Sequence, residues 1–114
     1  MMKAVFIELP HFERRRQDYL DDEAYGEFQR TLLANPLAGD VIEGTGGLRK
    51  IRCRDSRRSK GKRGGLRVIY YWWLNDFQFW LFTVYDKDEV TDLTATEKKA
   101  LKALLESEVA ARSK

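Results

Sequence analysis

The 114-residue chain predicts an α+β fold, a small and mostly antiparallel sheet with two N-terminal helices and a C-terminal helix. Three observations predict it. Apolar residues recur at helical spacing between Asp21 and Asn35 and again after Thr94, strand-like runs occupy residues 48–54, 66–74 and 77–85, and turn-forming residues separate them. A hydrophobic fraction of 43% and an aromatic fraction of 12% suit a chain that buries a core, and the length suits one domain over residues 1–114.

Residues 3–8 read as a first strand ending at Pro10. His11 to Tyr19 is a short helix with Pro10 near its start, where a missing N–H costs little. Asp21 or Asp22 caps a second helix, in which Tyr25, Phe28, Leu32 and Leu33 form one apolar stripe, and Asn35-Pro36 stops it. The resulting helical hairpin needs a sheet to cover. A loop through Gly39-Asp40 and the turn-rich Gly44-Thr45-Gly46-Gly47 lead to a strand from about Leu48 to Arg54. Alternation puts Ile51 and Cys53 on one face of that strand and Lys50, Arg52 and Arg54 on the other.

Residues 55–64 lack any apolar side chain and read as an exposed loop. Two strands follow, joined by Asn75-Asp76 as a two-residue hairpin turn. Their content, from Val68 to Trp73 and from Phe79 to Phe82, is apolar on both faces, which makes this hairpin central, with helices on one side and most of the aromatics in the core. Thr94-Ala95-Thr96-Glu97 is a capping-box pattern opening a last helix, whose apolar face carries Leu101, Leu104, Leu105 and Val109. The predicted order is β-α-α-β-β-β-α.

Charge is distributed unevenly along this frame. Ten of the 21 basic residues lie between Arg49 and Arg67, with Asp55 the single acid among them, a local net of +9. The remaining 95 residues carry 11 basic and 17 acidic side chains, so the overall +3 conceals a cationic segment on an acidic body. Such a field attracts polyanions and displaces counterions from phosphates. A solvated basic loop is the ordinary reading of a lysine-rich run. Here arginine predominates and the charges extend onto predicted strands, so the segment reads as a nucleic-acid-facing surface.

Other chemistries are poorly provided for. The single cysteine, Cys53, rules out an internal disulfide and a cysteine-rich zinc site, and it reads as a small apolar residue facing the core. The single histidine, His11, cannot form a two-histidine ribonuclease site and reads as a helix-terminus or surface residue. Asp86, Asp88, Glu89 and Asp92 read as a solvated loop, so neither a metal nor another cofactor is expected. With no signal peptide and no apolar run near the ~20 residues of a membrane span, the expectation is a cytoplasmic protein without membrane partners.

The basic strand face has a chemistry of its own. Clustered cations lower a lysine's hold on its proton, and arginine neutralises the charge that builds up on a phosphorane-like transition state. RNA carries its own nucleophile, the 2′-hydroxyl, which needs only orientation, deprotonation and charge neutralisation. Without histidine the catalyst is intrinsically weak and depends on something else to hold the RNA in line.

The run Gly44-Thr45-Gly46-Gly47-Leu48-Arg49-Lys50-Ile51-Arg52, followed by Lys60-Gly61-Lys62-Arg63-Gly64-Gly65-Leu66-Arg67-Val68-Ile69-Tyr70-Tyr71, resembles the RelE-type toxins of bacterial toxin–antitoxin pairs, and within them the HigB-type branch. Asn35-Pro36 ahead of Gly39-Asp40-Val41-Ile42, and Thr83-Val84-Tyr85-Asp86-Lys87 ahead of Asp92-Leu93, extend the resemblance over nearly the whole chain.

The resemblance implies the RelE-like ribonuclease toxin fold and a growth-inhibiting, metal-independent endoribonuclease that cuts mRNA in the ribosomal A site. The implied reaction is attack by the 2′-hydroxyl, leaving a 2′,3′-cyclic phosphate. The family's two basic positions on the first catalytic strand fall on Lys50 and Arg52, with Arg54 continuing that face; the arginine of the next strand falls on Arg67, and the basic residue after the third strand on Lys87. A tyrosine that some relatives carry at the start of the last helix aligns with Leu93, which leaves that role absent or to Tyr85. Lys50 or Lys87 would then move the proton, Arg52 and Arg67 hold the phosphate, and Tyr85 orient or stack the RNA. Arg49 and Arg54, with Arg57, Arg58, Lys60, Lys62 and Arg63 of the loop, would grip RNA of the ribosome. The implied partners are the ribosome with bound mRNA and a cognate DNA-binding antitoxin, the toxin being a monomer within a toxin–antitoxin hetero-oligomer. A ParE-like gyrase inhibitor of the same fold and a non-catalytic RNA-binding module are the alternative readings.

Overall fold

The two strands that are apolar on both faces occupy the middle of the sheet. The computed structural model describes residues 3–55, 65–89 and 92–113. Its elements are β1 (Val5–Glu8), α1 (Pro10–Tyr19), α2 (Asp22–Ala34), β2 (Asp40–Val41), β3 (Arg49–Cys53), β4 (Leu66–Trp73), β5 (Gln78–Asp86) and α3 (Ala95–Arg112). The five strands lie in the order β1-β5-β4-β3-β2. Every neighbouring pair is antiparallel except β1 and β5, which run parallel. The predicted α+β class and mostly antiparallel sheet are therefore observed.

The elements form for local reasons. Pro10 opens α1, and the Asp21 carboxylate accepts a hydrogen bond from the Ala24 amide at 2.8 Å, capping α2. Thr94 caps α3 as the capping box requires: its hydroxyl accepts from Glu97 N at 3.1 Å, while the Glu97 carboxylate accepts from Thr94 N at 2.8 Å.

Helices cover both faces of the sheet, not one as the sequence reading had it. Phe12, Leu20, Tyr25, Phe28 and Leu32 of the α1–α2 hairpin pack with Leu66, Val68, Tyr70, Phe79, Leu81 and Val84. Leu105 of α3, with Leu101 and Val109 beside it, packs on the other side with Leu48, Ile69, Trp80, Phe82 and Tyr85. A strand pair apolar on both sides requires such a double cover, since each fully buried large apolar side chain stabilises by about 1.5–3 kcal/mol. Leu104, expected on the buried face of α3, is 55% exposed.

Three further departures bear on the site. The loop at Gly39-Asp40 contains the two-residue edge strand β2, with Asp40 opposite Lys50. The hairpin between β4 and β5 is longer than two residues: Trp73 pairs with Gln78, a 3-10 turn spans Leu74–Asp76, and Phe77 takes a left-handed φ of 52°. The ladder also slips within the hairpin. Ile69 opposes Thr83 while Tyr70 opposes Leu81, so Phe82 is an extra residue in β5, a bulge.

Candidate active site

Cross-strand register builds the site. Arg52 of β3 lies opposite Arg67 of β4, and Arg67 lies opposite Tyr85 of β5. Directly opposed residues share a face with Cβ atoms roughly 4.5–5.5 Å apart, so these three form one rung across the sheet. Lys50 lies one rung along on the same face, opposite Ile69, about 7 Å away along the strand. This face is the one that α3 covers.

The bulge sets the place of Tyr85. In an unbroken alternation Tyr85 would share a face with Phe79 and Leu81, which pack against α1 and α2. The extra residue Phe82 reverses the parity, and Tyr85 joins Ile69 and Trp80 on the α3 side.

Tyr85 is buried, with 7% of its surface exposed. Burial raises its pKa, the positive charge of Arg67 opposes that shift, and the negative charges of Asp92 and Glu97 add to it. The phenol is therefore a neutral hydrogen-bond donor throughout the physiological range, bracketed by an arginine and by the acidic start of α3. Lys50 lines a cleft of about 320 Å³ with Asp40, Glu43, Asp92, Leu93 and Lys98. A second groove, of about 440 Å³, runs between α1 and α3; Tyr85 and Leu93 both line it, beside His11 and Leu101. Leu93, which the resemblance set against a tyrosine of some relatives, thus lines the same groove as Tyr85.

Lys87 continues the β5 register by one residue: its amide donates to the Gly65 carbonyl at 3.1 Å, and its side chain is exposed. Gly65 is required here. Its φ is +57°, and a Cβ on it would come within 2.9 Å of the Cys53 carbonyl.

The structure brings Lys50, Arg52, Arg67 and Tyr85 onto one face and puts Lys87 at the end of the adjoining strand. One other basic residue departs from the sequence reading, and a second is engaged locally. Arg54 does not continue the Lys50–Arg52 face, because β3 ends at Cys53 and alternation ends with it. Its guanidinium turns to α2, donating to both Glu27 carboxylate oxygens at 3.1 and 3.2 Å and lying 3.8 Å from Glu23. Arg49 lies on the opposite face from Lys50, and its guanidinium donates to the Gly39 carbonyl at 2.7 Å and the Leu37 carbonyl at 3.3 Å. Both arginines hold local structure. Arg57, Arg58, Lys60, Lys62 and Arg63 lie outside the described residues.

Cys53 is buried and its thiol is pushed up to about 12 by that burial, with Arg67 pulling the other way. It is an inert core thiol at neutral pH. His11 is exposed on α1; partial burial and the charges of Arg15 and Arg14 lower its pKa, and the nearby Phe82 carbonyl offsets part of this. The acidic turn after β5 is less simple than a solvated loop. Asp86 is buried, and its carboxylate accepts from the Asp88 amide at 2.8 Å.

Sequence reading passed over Asp92 and Glu97 as neighbours of Tyr85, since the approach of α3 to β5 is a tertiary fact. It also passed over Arg15 and Tyr19. Their i, i+4 spacing on α1 was the one signal they carry.

No protein-family model matches the chain. Its fold is shared with solved structures. A double arginine-to-alanine mutant of the E. coli toxin RelE in the free state superposes with a TM-score of 0.57 at 14% identity, over 87% of this chain and 97% of that one. A chain of the intact E. coli RelBE toxin–antitoxin complex superposes with a TM-score of 0.52 at 15% identity, over 74% of this chain and 96% of that one. The fold is that of RelE.

Proposed function

We propose that the chain is a RelE-superfamily toxin of a toxin–antitoxin pair, of the HigB-type branch, and that it cuts mRNA in the ribosomal A site without a metal. The observation that carries this reading is the rung Arg52–Arg67–Tyr85 with Lys50 beside it on one face of the sheet. Two guanidiniums at neighbouring positions suit the oxygens of a phosphodiester, whose negative charge grows as the 2′-hydroxyl attacks. In this reading Tyr85, on the same rung, orients the RNA, its neutral phenol donating a hydrogen bond to that charge. Lys50 or Lys87 moves the proton from the attacking 2′-hydroxyl. The products are a 2′,3′-cyclic phosphate and a 5′-hydroxyl end, and no water is consumed in the cut.

The ribosome supplies what this site lacks, alignment of the 2′-hydroxyl with the bond that breaks. An antitoxin partner is supported by the RelBE complex among the similar structures, and its segment would cover the basic face.

The test is induction of the chain in a bacterium with mapping of mRNA 5′ ends, with and without translation. Cuts inside codons that vanish when translation is blocked support the reading. Growth arrest with intact mRNA points instead to a ParE-like gyrase inhibitor, and no phenotype to a binding module. Arg67→Ala and Lys87→Ala are each expected to lower cleavage by at least about 100-fold while ribosome binding largely persists.

A further inference from the structure

A chain of side-chain contacts ties α1 to the turn that carries Lys87. β1 ends at Glu8 and pairs with β5 only as far as Leu81. Beyond that point the outer edge of β5 has no strand beside it among the described residues, and a side chain of α1 takes over. Arg15 Nε donates to the Val84 carbonyl at 2.9 Å. The same guanidinium donates through its Nη2 to the Tyr19 hydroxyl at 2.7 Å, with its Cζ 4.8 Å from the centre of the Tyr19 ring. The Tyr19 hydroxyl in turn donates to the Glu89 carboxylate at 2.9 Å. A phenol has one proton to give, so accepting from Arg15 leaves that proton for Glu89 and orders the relay in one direction.

Glu89 closes the turn that begins at Asp86. Its amide donates to the Asp86 carbonyl at 2.9 Å, the Asp88 amide donates to the Asp86 carboxylate, and the Lys87 amide is held by Gly65. Lys87 is therefore fixed from both sides, by the β4 entry on one and by α1 through Tyr19 and Glu89 on the other.

We propose that Arg15, Tyr19 and Glu89 are positioning residues that hold the 86–89 turn so that Lys87 meets the scissile phosphate. This rests on the nuclease reading above. None of the three needs to touch RNA. Their effect is to narrow the range over which the Lys87 ammonium wanders, and a loss of alignment at a reacting group lowers the rate without weakening docking.

The experiment uses the full chain on mRNA-programmed ribosomes under single-turnover conditions. Tyr19→Phe keeps the ring and its stacking under Arg15 but removes the proton given to Glu89. It is expected to lower the maximal cleavage rate about five- to tenfold, with the ribosome concentration for half-maximal rate unchanged. Glu89→Ala should match it, whereas Glu89→Gln, which keeps an acceptor oxygen, should recover most of the rate. In the double variant Tyr19→Phe/Lys87→Ala the loss should be no greater than for Lys87→Ala alone, since Tyr19 acts through Lys87.

Multiplying defects in the double variant would overturn the proposal, as would a wild-type rate in Tyr19→Phe. A rate that falls only in step with the unfolded fraction would overturn it equally. Hydrogen exchange at the Lys87 amide separates the two levels of inference. If the wild-type chain leaves mRNA whole, the nuclease reading fails; faster Lys87 exchange in Tyr19→Phe would still uphold the holding of the turn, and unchanged exchange would defeat that too.

Discussion

Arg52 and Arg67 stand directly opposite each other across the β3–β4 ladder, two positive side chains on one face of the sheet. Like charges at opposed positions work against a sheet, so the Arg52 charge is expected to add little to the stability of the fold. Arg52→Gln is therefore expected to leave the Tm unchanged or raise it by about 2 °C at low ionic strength, and added salt should erase the difference. Inorganic phosphate should stabilise the wild-type chain more than the variant. Thermal melts with and without phosphate check this, and a fall of several degrees in Arg52→Gln would make the residue structural.

The Tyr70 hydroxyl pins the approach to β2. It donates to the Pro36 carbonyl at 2.8 Å and accepts from the Gly39 amide at 3.0 Å, and the Tyr70 side chain is buried. Tyr70→Phe leaves a buried N–H and C=O without that partner and should cost about 1–3 kcal/mol. Gly39→Ala should cost a similar amount, about 1–3 kcal/mol, by overpacking, because its Cβ would lie 2.9 Å from both the Lys50 carbonyl and the Tyr70 ring. Urea unfolding measures both. A midpoint unchanged from wild type in either variant would mean that the 36–39 loop does not bear on β3.

Cys53 gives the protein an alkaline liability. Its folded pKa, about 12, lies above the ordinary thiol value of 9.0, so between those limits the folded chain holds a proton that the unfolded chain releases. The stability due to the buried neutral thiol is complete below about pH 9 and declines as pH climbs towards 12. Tyr70 and Tyr85, whose pKa values are also raised by burial, add to the same slope from about pH 10 upward. Chemical denaturation at several pH values should show this decline, and Cys53→Ala should flatten it between about pH 9 and 11 even though it starts lower. A thiol reagent at pH 8 should label Cys53 only in denaturant.

The cap of α3 bears on the site because Glu97, its second half, lies near Tyr85. Thr94→Ala should cost about 1 kcal/mol and loosen the first turn of α3. With Glu97 less well placed, the Tyr85 phenol should titrate at a lower pH than in wild type. An ultraviolet titration of the phenolate reads that shift directly, and an unchanged titration would mean that Glu97 keeps its place without the cap.

Helices, strands and the basic face were legible because each rests on a local pattern. Alternation placed Lys50 and Arg52 together, and resemblance aligned Arg67 with them. The places where reading failed are those where alternation stops without a sequence mark. Arg54 has the parity of Arg52, but β3 has ended one residue earlier, and α2 offers it Glu27. Tyr85 joins Ile69 and Trp80 only through the bulge at Phe82, which changes its face and leaves no residue signature. Strand β2, two residues long, is too short to show any period. The double cover of the sheet could have been read. A β4–β5 pair apolar on both sides already demanded a helix on each, and α3 was the one left for the second face.

The parallel edge strand has a consequence for how the chain comes to be folded. Val5 pairs with Gln78 and Glu8 with Leu81, so β1, made before β5, waits for it. Contacts so distant along the chain form late and slowly. Until β5 has left the exit tunnel, β1 has no edge to join, and α1 has no Val84 carbonyl for Arg15 to hold. The nascent chain therefore assembles its Lys87 turn only once β5 has emerged.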